Sequence, residues 1–402
     1  MPRHAKTMAH RSVAVRVALT LCVALPALVL RLSGAHPAPI AGMAVYGAGV
    51  LAAAIVLMWA AETARADMSG ALALALLALI AVLPEYAVDL YYAYAAGSKP
   101  EYAAYAAANM TGANRLLVGV GWSLVVVAFA LGLRRRRLPA REVRLTRGHR
   151  IELGFLALAA VIAFVPPMAG EIGWYVSAVL IALYLAYIVR IARSGGGGEE
   201  ELTGVPAWFA ALPARPRRIA TWGGFALGAL IVFASAEPFA ESLVHAGSSL
   251  GIDEFLLVQW LAPLASEAPE LIVAVVFAWR LRDSDAIGAL LSSKVNQWTL
   301  LIGTLPLAYK AGGGAWSLPL DDRQMEEVLL TAAQTVLGLA FLVDLRFRRW
   351  EAALLFALFA VQFALPGQHA RLLLSGVYLA IGFSVLIARW RLLARAMAAT
   401  IR

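Results

Sequence analysis

The chain has 402 residues, 61% of them hydrophobic and 15% charged, with a mean hydropathy of +0.75. That apolar share, spread over many runs near 20 residues, excludes an ordinary soluble domain and describes an all-α polytopic membrane protein. The net charge of +9 resides in arginines between apolar runs, where topology signals sit; no aromatic-interleaved basic patch points to nucleic acid.

Cys22 is the single cysteine, which excludes an intrachain disulfide and a thiolate metal cluster. Residues Arg3, Lys6 and Arg11, followed by an apolar run from Val13 to Leu32, imitate a signal peptide. Because the chain stays membranous afterwards, the run reads as an uncleaved first span. Twelve spans are expected, at 13–33, 41–62, 70–96, 103–131, 151–166, 172–192, 219–246, 253–280, 286–309, 326–345, 350–366 and 371–391. With that number the basic segments fall on one side: the N-terminus, Arg65, Arg134 to Arg150, Arg190 to Arg218, Arg280 with Arg282, Arg346 to Arg349, and Arg389 to Arg402. The positive-inside rule makes that side cytoplasmic and places both termini there, in a cell membrane whose Ala- and Arg-rich usage suggests a bacterial inner membrane.

Ser194 to Pro216 reads as a flexible tether: Gly195 to Gly198, then Glu199 to Glu201, then Pro206, Pro213 and Pro216. It divides the chain into 1–40 (N-terminus and an extra first helix), 41–193 (first repeat), 194–218 (linker), 219–366 (second repeat) and 367–402 (an extra last helix and basic tail).

Leu83-Pro84-Glu85-Tyr86-Ala87-Val88-Asp89 lies on the third span and Ser266-Glu267-Ala268-Pro269-Glu270-Leu271 on the eighth. Both put a Pro-Glu pair deep in an apolar run, where a carboxylate costs about 2.5–3.5 kcal/mol even on lenient scales. The same disturbance on spans of opposite direction reads as an inverted repeat with a midplane ion site. Asp89 follows Glu85 by four residues and Glu267 precedes Glu270 by three, so each pair shares a helix face. Four such carboxyl groups suit Na⁺, Ca²⁺ or H⁺, and packed together they cannot all stay ionised. The structural alternative is that the prolines merely kink helices.

The following spans carry Asn109-Met110-Thr111-Gly112-Ala113-Asn114-Arg115 and Gly288-Ala289-Leu290-Leu291-Ser292-Ser293-Lys294-Val295-Asn296-Gln297. Their amides and hydroxyls suit cation coordination, although such groups also hold helices together. Pro-Glu followed by Asn-x-x-Gly-x-Asn, duplicated and inverted, resembles the α-repeats of the calcium/cation antiporter superfamily, which includes the sodium/calcium exchangers. The resemblance covers about 70–131 and 250–310. It implies ten core spans in two five-helix repeats and cation antiport by alternating access. Glu85 and Glu270 would be the central ligands, with Asn109, Thr111 and Asn114 supporting in the first repeat and Ser266, Ser292 and Ser293 in the second.

Three departures stand out. Ala81-Val82 replaces the Thr-Ser that the family carries before the first Pro-Glu, and Gly288-Ala289 replaces Gly-Asn/Asp. Lys294 falls at the Asn of Gly-Ser-Asn. About eight residues into its span, roughly 12 Å deep, its ammonium would occupy a cation position beside Glu270 or Glu267. It could release its proton when a metal ion arrives, which favours Na⁺/H⁺ or other proton-coupled exchange. A structural pair locking the helices is the competing reading, and Arg115 is expected to pair with Asp89 or face the cytoplasmic vestibule. Glu237 and Glu241 read either as pathway lining or as local pairs. No His-Glu protease motif, nucleophile elbow or phosphate loop suggests an enzyme. The expected function is a secondary-active cation antiporter with no cofactor beyond its transported cations and with the lipid bilayer as surroundings. The alternative is a non-cycling ion-binding membrane protein acting as sensor or partner subunit.

Overall fold

A computed structural model describes residues 3–64, 66–67, 82–194, 202, 204–364 and 367–401, and the backbone alone for 3–11. The first half of the third expected span, with Ala81, and the Gly/Glu tether at 195–201 lie outside the described residues.

In chain order, α1 (Arg3–Ser33) and α2 (Pro39–Ala64) precede α3 (Leu83–Ala96). Helix α4 (Tyr102–Leu116) runs through a π-helical turn, Leu117–Gly121, into α5 (Trp122–Arg135). Strand β1 (Val143–Arg144), α6 (Arg150–Ile162), the short α7 (Val165–Ala169), β2 (Glu171–Ile172) and α8 (Trp174–Arg193) follow. The second half begins with α9 (Val205–Ala210), α10 (Ala214–Leu250), α11 (Glu254–Trp279) and α12 (Asp283–Asn296). A second π-helical turn, Gln297–Leu301, leads into α13 (Ile302–Ala311). Then come β3 (Leu318–Pro319), α14 (Asp322–Leu342), β4 (Arg346–Phe347), α15 (Arg349–Ala364), α16 (Gln368–Ala388) and α17 (Trp390–Ile401).

Among the described residues, nine helical stretches are long and apolar enough to cross a membrane. The stretches 283–311 and 349–364, both expected as spans, are helical but not among the nine. The first is diluted by Lys294, Asn296, Gln297 and Thr299, all buried against protein rather than lipid. The second is 16 residues long, about 24 Å of helix. Two further helices were not expected. Helix α9 occupies part of the predicted tether, because Pro206 stands in its first turn and Trp208 and Phe209 pack edge to face with ring centroids 5.0 Å apart. Amphipathic α17 follows the last expected span, its small residue Ala396 buried against Gly154 of α6.

The chain forms two compact units, 1–91 with 191–269 and 92–190 with 270–402. In the first, α2 and α10 pack closely along a stripe of small residues. A β-carbon on Gly49 would stand 2.7 Å from the Ser235 hydroxyl, and one on Gly228 would stand 2.6 Å from the Leu57 side chain. Small residues at such crossings let backbones approach where lipid supplies no hydrophobic drive. Gly228→Leu is therefore expected to destabilise the protein by about 1–3 kcal/mol through overpacking, seen as a lower melting temperature in detergent. Gly223→Leu, on the same helix with open space around it, is the control.

The second unit surrounds α14, nearly all of whose residues are buried. Its start is written in the sequence as Asp321-x-x-Gln324, a complete capping box. Gly338 admits the Trp122 ring, which meets Phe347 edge to face. Two antiparallel strand pairs, β1 with β4 and β2 with β3, each join a loop of the first half to a loop of the second.

Candidate cation-exchange site

The two π-helical turns fix the correspondence between the repeats. Leu117–Gly121 and Gln297–Leu301 lie 180 positions apart, each directly after a polar run. Such turns insert an extra residue into the helix and occur often at functional sites. The same offset pairs Asn109 with Ala289, Gly112 with Ser292 and Asn114 with Lys294.

In the first unit, Glu85 and Asp89 are buried one turn apart on α3, and Glu267 and Ser266 are buried on α11. The described part of α3 starts at Leu83, so Pro84 stands in its first turn, where a missing N–H costs nothing. Pro269 lies inside α11 and, having no N–H, releases the Ala265 carbonyl from the helix ladder. Ser266 donates to the Ala262 carbonyl at 3.2 Å. Of the other acids on α10, Glu237 pairs with Arg31 at 2.5 Å and Glu241 accepts from Tyr91 at 2.8 Å, so both have local partners.

In the second unit the polar run of α4 is fully buried. Thr111 donates back to the Ala107 carbonyl at 2.7 Å. Neither amide atom of Asn109 has a hydrogen-bond partner among the described residues, although the residue is 0% exposed. An unmet buried amide costs about 1–3 kcal/mol, so Asn109 is held at that cost in the interior of the second unit.

Asn114 donates through Nδ2 to the Met110 carbonyl at 2.8 Å, while its Oδ1 accepts from Lys294 Nζ at 2.7 Å. Lys294 is 0% exposed, and its ammonium also stands 4.3 Å from the centre of the Trp298 ring. The two residues that correspond through the 180-residue offset thus meet each other, one amide oxygen and one cation. Glu270, on α11, lies within hydrogen-bond reach of the Ser293 hydroxyl. Ser292 accepts from the Tyr187 hydroxyl at 3.2 Å. Among the described residues no three Asp, Glu, His or Cys side chains converge as a ready cation cage.

Arg115 pairs with Glu327 of α14, a partner the sequence did not suggest. Its Nη1 donates to Gln362 at 2.9 Å, and Arg371 of α16 donates to the other Glu327 oxygen at 2.8 Å. Gln362 and Glu327 lie in apolar runs where sequence spacing alone gave no sign of a partner some 200 residues away. Helix α16, expected as an addition to the ten core spans, delivers one of the three charges. Breaking a buried ion pair from one side costs about 3–5 kcal/mol. Glu327→Ala is expected to lose that much stability, measured as melting temperature in detergent, whereas Arg346→Ala at the half-exposed strand β4 is expected to change little.

Comparison with known proteins agrees with this architecture. The family model of the sodium/calcium exchanger protein matches residues 38–192 and 220–366. A solved structure described as the H⁺/Ca²⁺ exchanger CAX is 42% identical, covers 97% of this chain and 98% of its own, and superposes with a TM-score of 0.90. The Ca²⁺/H⁺ antiporter protein YfkE is 16% identical with a TM-score of 0.61 over 90% of this chain and 99% of its own, a likeness of fold. CaxA of Alkalimonas amylolytica, named as an antiporter, is 28% identical over 147 residues, which are 36% of this chain and 44% of that relative. With the Pro-Glu helices, the paired π-helical turns and a family match over both halves, the chain belongs to the sodium/calcium exchanger family, within the calcium/cation antiporter superfamily.

Proposed function

We propose that this membrane antiporter exchanges a cation, Ca²⁺ in the first instance, against protons, through a site whose central ligands are Glu85 and Glu270. Asn109 and the Ala265 carbonyl add neutral oxygens, and Asp89, Glu267, Thr111, Ser266 and Ser293 line the same route. The exchanger repeats are 41–193 and 219–366, in a cell membrane with both termini cytoplasmic.

The observation that carries this reading is the Lys294 ammonium on Asn114. A fixed positive charge already stands where a second amide would face the first, so the site has one cation position fewer than a pair of amides would give. Mutual repulsion disfavours a cluster of monovalent ions beside it. A single divalent ion balanced by two protons on carboxylates keeps the charge of the loaded and protonated states equal. The 42% identity to a protein described as an H⁺/Ca²⁺ exchanger supports the same choice.

The test is flux in proteoliposomes holding a pH-sensitive dye. A Ca²⁺ pulse outside is expected to move protons outward with no Na⁺ present. Ca²⁺ movement that requires Na⁺ and leaves protons still would overturn the proton-coupled reading. A protein that binds Ca²⁺ and moves nothing would favour the non-cycling alternative.

A further inference from the structure

The second unit holds a set of proton-capable side chains that the cation ligands do not use. His149 ends a short 3-10 turn, Arg147–His149, in front of α6, with its side chain 18% exposed. Its Nε2 lies 3.2 Å from the Ser284 hydroxyl and its Nδ1 lies 3.5 Å from Glu152 Oε1. Glu152 is on the next turn inward, buried, and its second oxygen, Oε2, has no hydrogen-bond partner among the described residues. Its carboxylate interacts electrostatically with Tyr187 of α8, and the Tyr187 hydroxyl donates to Ser292 on α12. Ser293, the next residue, reaches Glu270. From a largely covered imidazole at the loop to buried carboxylate to buried phenol, these groups step inward to the helix that carries Ser293 and Lys294.

A structural role accounts poorly for this arrangement. A buried carboxylate needs its lone pairs met, and Glu152 has one oxygen on a histidine at the outer limit of an ion pair and the other unmet. The surrounding charges are engaged elsewhere: Asp283 with Arg141, and Arg190 with the Ala399 carbonyl. Tyr184 is the other titratable group beside Tyr187, with ring centroids 6.2 Å apart. An imidazole at the loop, followed by a carboxylate with an oxygen that no described hydrogen bond meets and then a hydroxyl relay, suits proton passage.

We infer that His149, Glu152, Tyr187 and Ser292 form a proton path between the face bearing the loop at 144–149 and the cation site. The inference rests on the proton-coupled reading above. Each transfer is balanced: a proton arriving on one imidazole nitrogen leaves to Glu152. Glu152 then passes the proton to the Tyr187 oxygen as the Tyr187 hydroxyl gives its own to Ser292 and the Ser292 hydroxyl releases its own to the cation site, so neither hydroxyl keeps a charge.

The experiment compares wild type, Glu152→Gln and Tyr187→Phe in proteoliposomes by two readouts, Ca²⁺ uptake driven by a pH gradient and Ca²⁺/Ca²⁺ exchange at equal pH. The second needs no net proton movement. Both variants are expected to lower gradient-driven uptake about tenfold, with Ca²⁺/Ca²⁺ exchange kept within twofold, and His149→Gln to flatten the pH profile. Equal loss in both readouts would mean a structural role, and wild-type behaviour in both would mean that protons go another way; either result overturns the path. Wild type that exchanges Ca²⁺ but shows no pH-driven uptake would overturn the proton-coupled reading itself, and the path with it.

Discussion

Glu270→Gln is expected to reduce cation exchange by roughly a hundredfold or more, since one lost charge-bearing ligand worth about 2.7 kcal/mol corresponds to that factor. The substitution keeps the shape of the side chain and an oxygen for the Ser293 hydroxyl to meet. What it removes is the charge that attracts a cation and the ability to take a proton in its place. The same reasoning applies to Glu85→Gln on the other Pro-Glu helix. Folding is expected to survive, because a neutral amide is less costly in an apolar span than a carboxylate. Melting temperature in detergent, read beside ⁴⁵Ca²⁺ flux, separates the possibilities. A large fall in melting temperature with a proportional fall in flux, as expected for Glu327→Ala, would make Glu270 a structural residue and sink its role as a ligand.

The sequence announced the elements that pay an energetic penalty. A Pro-Glu pair deep in an apolar run, or Asn109 and Asn114 flanking Gly112, is conspicuous because nothing in a lipid-facing helix accounts for it. The capping box at Asp321 is local and equally readable. Long-range pairing is another matter. Arg115 finds Glu327 and Arg371 through tertiary packing of α4, α14 and α16, and no periodicity encodes that choice among several buried carboxylates. The second polar run is faint in the sequence because Ala289 and Lys294 stand in place of the residues that mark it. The backbone supplies the register instead, through two π-helical turns with the same spacing from their polar runs. Residues such as Glu152 and Tyr187 carry no signal in the sequence for a related reason: each is ordinary in its own helix, and its meaning arises from the neighbour.

Lys294 offers the sharpest separation of charge from packing. Lys294→Met keeps an unbranched apolar stem of similar length against Trp298 but removes the ammonium that Asn114 Oδ1 accepts. Lys294→Asn removes stem and charge together and sets one amide against another, the residue pair that the family pattern carries. Truncation of a buried stem costs about 2–5 kcal/mol, so the Asn variant is expected to melt lower than the Met variant. In flux the order differs. Both variants are expected to lose proton release on a Ca²⁺ pulse by roughly tenfold or more, since removing one close buried charge is worth at least 1.4 kcal/mol at an effective dielectric near 20. The Asn variant alone is expected to gain Na⁺-dependent Ca²⁺ movement, because two facing amide oxygens with no fixed cation between them can hold a mobile one. If Lys294→Met instead released protons as wild type does, the ammonium would be a brace between α4 and α12. The two protons on the carboxylates would then exchange without any influence from the fixed charge beside them.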